Sequence, residues 1–251
     1  MPAQPTDRNA FLAELSAAAY ELLRPHLMTF ALNAGEPLHE VGMGVEQVVF
    51  PHSGLVTMTM PLRNGGGGAV LVGRDGIFAG FEAAAAVPAM CGAEVYIAGR
   101  AARMSASAFR YVLDQSPIVR RLAVRHNAAL MVQVHQTALC NAAHPVEARF
   151  ARWLLEVQDR IGGFDVPLTQ STLAQMLGVQ RTTVNLAAGR LEAAGVINCR
   201  RGYMQIVGRE QLERHACECY RNVKGYVSRL FVLPAGAALA APLESLPRKT
   251  L

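Results

Sequence analysis

The 251-residue sequence predicts an α+β fold in three parts: an N-terminal antiparallel β-roll, a long central helix and a C-terminal winged helix-turn-helix. Three observations carry this. Short β-type runs punctuated by glycine fill about Phe30 to Ala108. An uninterrupted helical pattern opens at Pro117 and runs to about Ala143. The stretch 169–201, TQSTLAQMLGVQRTTVNLAAGRLEAAGVINCRR, has the spacing of two short helices across a glycine turn, followed by a hairpin.

In chain order, residues 1–7 are rich in proline and polar side chains and carry no structural signal, and FLAELSAAAYELL makes Arg8–Leu27 helical. Val45–Phe50, Leu55–Leu62, Ala69–Val72, Glu94–Ala98 and Ala101–Met104 are the expected strands. Pro51-His52-Ser53-Gly54 and Asn64-Gly65-Gly66-Gly67-Gly68 are the clearest turns. The glycine run reads as a hairpin tip, because no Gly-Lys-Ser/Thr follows to make a phosphate loop. Many short strands at regular spacing suggest a small roll or barrel.

The helix from Pro117 places Ile118, Leu122, Arg125, Ala129, Val132, Gln136 and Leu139 at 3-4 spacing. About 26 residues span about 39 Å, too long for one small domain to cover. A dimer seam on one face, with the roll on the other, is the economical use. His144-Pro145 ends this helix, and Pro145 suits the first position of the next, Val146 to Ile161.

In the C-terminal third, Thr169 is a good N-cap, and Leu173, Ala174 and Leu177 share one helical face. Ala174 permits close helix approach, and Gly178 suits the left-handed turn. Val184, Ala187, Ala188 and Leu191 form the inner side of the second helix. Gln180, Arg181, Thr182 and Asn185 are left on its outer face, where base edges would lie in a major groove. Gly195-Val196-Ile197 and Met204-Gln205-Ile206-Val207 flank an Arg-Gly turn, a wing of the type that rests on phosphates. Thr169, Thr183, Arg200 and Arg201 are assigned to phosphate.

Charge agrees. The chain carries 24 Lys/Arg against 19 Asp/Glu, a net of +5, and residues 1–144 contribute none of that excess. Between 180 and 209 stand Arg181, Arg190, Arg200, Arg201 and Arg209 against the single acid Glu192, the footprint of a DNA-contacting face. No apolar run reaches the ~18 to 20 residues of a membrane span. Neither is there a secretory signal pattern at the start. Five cysteines, an odd number, argue against a disulfide framework and for a reducing cytoplasm. No nucleophile–base pair, carboxylate dyad or metal-ligand spacing supports an enzyme.

A β-roll, a long helix and a winged helix-turn-helix in this order resemble the Crp/Fnr family of bacterial transcription regulators, whose roll is cyclic-nucleotide-binding-like. The resemblance covers about residues 8–222. Its marks are Ala34-Gly35-Glu36, Val49-Phe50-Pro51 with Ser53-Gly54-Leu55, Gly73-Arg74-Asp75-Gly76 ahead of Gly80, and Glu147, Arg149 and Arg152-Trp153-Leu154-Leu155. It implies a homodimer on a two-fold DNA site that recruits or blocks RNA polymerase, gated by a signal in the roll. The partition expected is 8–116 for the roll, 117–143 for the dimerisation helix, 144–222 for the DNA-binding domain and 223–251 for a C-terminal extension.

Departures from the family's pattern matter as much. Cyclic-nucleotide members hold the ligand with a Gly-Glu pair and an Arg-Ser pair. Here Phe81 separates Gly80 from Glu82, and nothing basic follows before Arg100. The adenine-contacting Thr-Ser pair falls on Val134-His135. No cofactor is therefore expected, and cyclic AMP or GMP in the usual mode is not. The alanine-rich segment Ala83–Met90 either lines an apolar pocket or fills the former site, with filling the slightly favoured reading. Iron–sulfur members carry N-terminal cysteines, whereas the first here is Cys91.

No metal site is assigned. A redox or metal switch at Cys217/Cys219, near His215, is the alternative, although a helix there would point the two thiols apart. Cys140 and His144, four apart, could share a face, with His126 and His135 further up the helix; each reads more readily as a packed or solvated side chain. In the recognition helix, the family's Ser-Arg-Glu corresponds to Gln180-Arg181-Thr182, and Leu186 replaces a basic residue. The family's half-site should therefore not carry over. Gln180 is also a poor N-cap. Glu147, Arg149 and Arg152 are expected in surface or interdomain ion pairs, and Trp153 in the core. A further alternative is a signal-binding module acting through protein partners.

Overall fold

The computed structural model describes residues 9–60 and 67–232. The expectations for residues 1–8, for the end of the strand at 61–62, for the 64–66 part of the glycine turn and for the tail 233–251 lie outside them. The fold is α+β, with antiparallel sheets at the N-terminal end, a long central helix and a helix-turn-helix at the C-terminal end. The roll is built from two sheets, one ordered β1 (Met28–Leu32), β7 (Gly99–Ser105), β3 (Gln47–Pro51), the other β2 (Pro37–His39), β6 (Gly92–Ile97), β4 (Leu55–Met60), β5 (Gly67–Val72).

Strand alternation explains the layering. On β3, Val49 points into the roll with Leu32, Val56, Val72 and Val95, while Val48 and Phe50 point out against helices. Those helices are α1 (Ala10–Ala13), α2 (Ala17–Leu23), α4 (Ala106–Gln115) and the start of α5 (Pro117–Ala143). Sequence patterning does not mark β1, β2 and the short α3 (Gly80–Ala85), which are brief, nor α4, which follows β7 directly. The expected helix Arg8–Leu27 is two helices, broken where the Ser16 side chain turns to cap α2. Gly54 and Gly99 are steric necessities. A Cβ on Gly99 would lie 2.3 Å from the Ser53 carbonyl oxygen, and one on Gly54 2.6 Å from that of Ile97.

Helix α5 spans 27 residues with Ser116 as its N-cap. Its buried stripe is Val119, Leu122, His126, Ala129, Gln133, Thr137 and Cys140. Of the expected seam residues, Leu122 and Ala129 are covered by this chain's own fold, and Arg125, Val132 and Gln136 are half-buried. Of that set, only Ile118 and Leu139 stand well exposed, and the outer face instead presents Val124, Met131 and Val134. The reason is physical. Three of the inward positions, His126, Gln133 and Thr137, are polar, so apolar periodicity alone does not mark the buried face.

His126 stacks between Phe11 and Phe231, at 5.1 and 4.8 Å between ring centroids. Burial pushes its imidazole down to about 4. In the unfolded chain it titrates near 6.5, so the unfolded state binds the extra proton between these two values. Its contribution is complete above pH 6.5 and is lost as the pH falls to about 4, on the order of 3 kcal/mol in all. Urea midpoints measured from pH 7 to 4.5 should fall more steeply for the wild type than for His126→Phe; equal slopes would sink this assignment.

Helix α10 (Cys219–Val232) packs back along α5, burying Leu230 and bringing Phe231 onto His126. It runs unbroken across the expected boundary at 222/223. No helix among the described residues is long and apolar enough to cross a membrane.

Candidate nucleic-acid interface

Helix α6 (Val146–Ile161) is the platform, with Pro145 as its N-cap residue rather than its first turn. Phe150, Trp153, Leu154 and Val157 bury into a core that also takes Leu55 and Leu71 from the roll. On this platform sit α7 (Gln170–Leu177), α8 (Arg181–Ala193) and a sheet ordered β8 (Asp165–Val166), β10 (Tyr203–Ile206), β9 (Ile197–Arg200). The two-residue β8 was not foreseen; two residues carry no periodicity.

The Thr169 side chain accepts from the Thr172 amide at 3.1 Å and starts α7. Gly178 ends it at φ +63°, and its amide bonds back to the Gln175 carbonyl. Arg149, buried in α6, donates to the Leu177 carbonyl and so holds the turn from beneath. Arg149 and Arg152 are therefore not surface residues: Arg152 is 1% exposed. Glu147 does form ion pairs, with Arg190 at 3.4 Å and His215 at 3.8 Å.

Gln180 precedes α8 without a capping bond, leaving the first amides of that helix without a side-chain partner. Gln180, Arg181, Thr182 and Asn185 are exposed, Thr183 is half-buried, and Val184, Ala187, Ala188 and Leu191 face the core. Arg190 is exposed but lies in the last turn of α8, paired to Glu147. The wing turns at Gly202, φ +87°, and places Arg200 and Arg201 outward. Glu192 on α8 accepts the Cys199 amide at 2.9 Å, anchoring the wing to the helix. Thr169, Arg181, Arg200 and Arg201 line one cleft between α7 and the wing.

Two residues of consequence escaped the sequence reading. Glu192 counted only as a charge, although its spacing to Cys199 is what ties the wing down. Leu186 is 68% exposed on the outer face of α8, beside Asn185, an unusual place for a bare leucine.

At the other end of α6, Cys140 closes α5, His144 follows as its C-cap residue, and Cys217 and Cys219 lie at the start of α10. The three sulfurs and a ring nitrogen of His144 all lie within 4.8 Å of one another. Cys217 and Cys219 do not point apart as expected, because Cys217 precedes the helix and only Cys219 is inside it. The Cys140 thiol is held down to about 4 by the hydrogen bond from Cys217, against burial, with help from Arg152 and His144. Cys217 is pushed up by the same bond and by burial.

This geometry defines a class: a β-roll joined through a long helix to a winged helix-turn-helix whose outer helix and wing converge basic side chains on one cleft. Residues 148–215 match the family model of the Crp-like helix-turn-helix domain. The fold is similar to that of FixK2 from Bradyrhizobium japonicum, with 17% identity, a TM-score of 0.66, and 76% of this chain and 98% of that one covered. It is similar also to a CRP/FNR-family transcriptional regulator from Thermus thermophilus, with 22% identity, a TM-score of 0.62, and 75% and 98% covered. The c-di-GMP responsive global regulator CLP of Xanthomonas campestris shares 13% identity at a TM-score of 0.64, with 77% and 100% covered. No curated protein matches the chain by sequence. The C-terminal part of the chain thus matches the Crp-like helix-turn-helix model, and the fold as a whole is similar to those of these regulators.

Proposed function

We propose that this protein is a sequence-specific DNA-binding transcription regulator, working as a homodimer on a two-fold site. One observation carries the reading: the exposed N-terminal face of α8 and the wing arginines converge on the same cleft of a Crp-like domain. Arg181 can donate bidentately to guanine O6 and N7, and Gln180 or Asn185 can read adenine. Leu186 offers an apolar contact for a thymine methyl. Thr169, Thr183, Arg200 and Arg201 take phosphates, and the uncapped amides of α8 give a further phosphate seat. Arg190, held by Glu147, contributes field rather than a base contact. Thr182 borders the reading face. RNA polymerase is the partner such a regulator acts on.

The roll is proposed to work without a cyclic nucleotide. The apolar pocket between α3 and α5 offers one carboxylate, Glu82, and one amide, Asn127, but no cation for a phosphodiester. The division into roll, long helix and DNA-binding part is proposed with the last of these extended through α10.

Dimerisation is assigned to the outward stripe of α5, through Val124, Met131 and Val134 with Ile118 and Leu139 at its ends. Met131→Glu should convert dimer to monomer in light scattering while the urea midpoint holds; an unchanged dimer would move the seam elsewhere. The function itself is tested by selecting sites from random duplex DNA with the purified protein at stated salt. Enrichment of one palindrome with half-sites about 34 Å apart is expected. Retention that tracks salt and enriches no sequence would overturn the reading.

A further inference from the structure

We propose that Cys140, His144, Cys217 and Cys219 form a closed tetrahedral site for a zinc-class divalent ion, pinning the hinge between the long helix and the DNA-reading domain. The inference stands independently of the DNA-binding reading. It begins with the donor set. Three sulfurs and one imidazole nitrogen are the ligands of a structural Cys3His zinc site, and four protein donors leave no open position for a substrate.

The distances fit one small ion. Metal–sulfur bonds of about 2.3 Å and a metal–nitrogen bond of about 2.0 Å in tetrahedral array put sulfurs roughly 3.8 Å apart and sulfur and nitrogen roughly 3.6 Å apart. The Cys140 and Cys217 sulfurs are 3.5 Å apart, and the Cys219 sulfur is 3.6 Å from His144 Nδ1. All the donors lie within 4.8 Å of one another, too close-set for a cluster of several irons. Packing of three thiols alone would not require a ring nitrogen turned into the group.

The surroundings are those of a metal centre. His144 Nε2 lies 3.2 Å from the Glu218 carboxylate, which sets the tautomer that leaves Nδ1 free to ligate. The Gln136 side-chain amide donates to the Cys219 sulfur at 3.0 Å. Three thiolates on a divalent ion leave one net negative charge, and two buried guanidiniums, of Arg149 and Arg152, face the thiols. Arg149 Nε and Arg152 Nη1 have no hydrogen-bond partner. Arg152 is balanced by Glu156, whereas buried Arg149 has no carboxylate partner among the described residues, and an anionic metal centre beside it would supply the missing charge.

The placement gives the ion a task. Cys140 and His144 end α5, Pro145 opens α6, and Cys217 and Cys219 lie where α10 leaves the winged domain. One ion would therefore fix the angle at which the long helix delivers the recognition helix. Residues 77 apart in sequence make the site, so it exists only in the folded chain.

Full-length protein purified under reductant without chelator is expected to carry about one zinc per chain by mass spectrometry. Exchange into Co2+ should give the intense visible bands of tetrahedral cobalt with a sulfur charge-transfer band. Cys219→Ser should abolish stoichiometric uptake, whereas Cys91→Ser and Cys199→Ser should retain it. Should Cys219→Ser fail to fold, Glu218→Gln supplies the test, with metal affinity expected to fall about 10- to 100-fold. Reduced wild-type protein that takes up neither zinc nor cobalt, a six-coordinate cobalt spectrum, or a Cys140–Cys217 disulfide in protein purified without air would each overturn the proposal. Site selection is run in parallel on metal-loaded and chelated protein. Metal uptake without any enriched DNA site defeats only the operator reading, and DNA selection by protein that takes up no metal defeats only this one.

Discussion

Glu156→Ala should destabilise the protein by about 3–5 kcal/mol, because it strands a buried cation. Arg152 bridges α6 to α5, with its Nε donating to Glu156 at 2.7 Å and its Nη2 to Thr137 at 2.7 Å. Both members of the pair are almost wholly buried. The attraction between them offsets a large desolvation cost, so removing the carboxylate leaves the cost without the compensation. Urea unfolding should show the midpoint falling with little change in slope. The double variant Arg152→Met/Glu156→Leu should recover most of the loss, since two apolar side chains of similar volume need no partner. Equal losses in single and double variants would mean that packing, not charge, holds the helices together.

Arg181→Ala and Arg201→Ala should weaken DNA binding in different ways. Arg181 opens α8 and is exposed on its first turn, the place proposed to read base edges. Its removal should cost about 1–3 kcal/mol on the selected site and relax preference at one base step, with little effect on non-specific DNA. Arg201 sits exposed on the wing turn and is proposed to meet phosphate. Its removal should weaken all sequences alike and reduce the slope of log affinity against log salt by about one. Titrations of specific and scrambled duplexes at several salt concentrations separate the two. An Arg181 variant with its sequence preference intact would remove that residue from the reading face.

Much of the architecture was legible because it rests on local chemistry. Pro117 behind Ser116 opens the long helix, His144-Pro145 closes it, and Thr169 and Gly178 bracket the first helix of the pair. Such caps act through neighbours three or four residues away, which a sequence displays directly. The outer face of α8 was legible for the same reason, since its inner face is cleanly apolar.

Other features escaped because their cause lies far along the chain. The buried face of α5 is hard to read from apolar spacing, since His126, Gln133 and Thr137 face inward and only their partners explain it. Phe11 and Phe231 flank His126; Arg160 reaches Gln133 at 2.8 Å, and Arg152 reaches Thr137. Arg149, Arg152 and Arg160 look like a solvated helix face until a second helix covers them.

The cysteines show the division most plainly. Cys217-x-Cys219 lacks metal-ligand spacing, and Cys140 with His144 is half a site. Helical periodicity, caps and turn residues are short-range interactions, and from them the chain's order of roll, helix and winged domain could be read. Which polar side chains are buried, and which distant donors share one point in space, depends on α10 folding back along α5. That packing brings together residues whose separation in sequence carries no information about their distance.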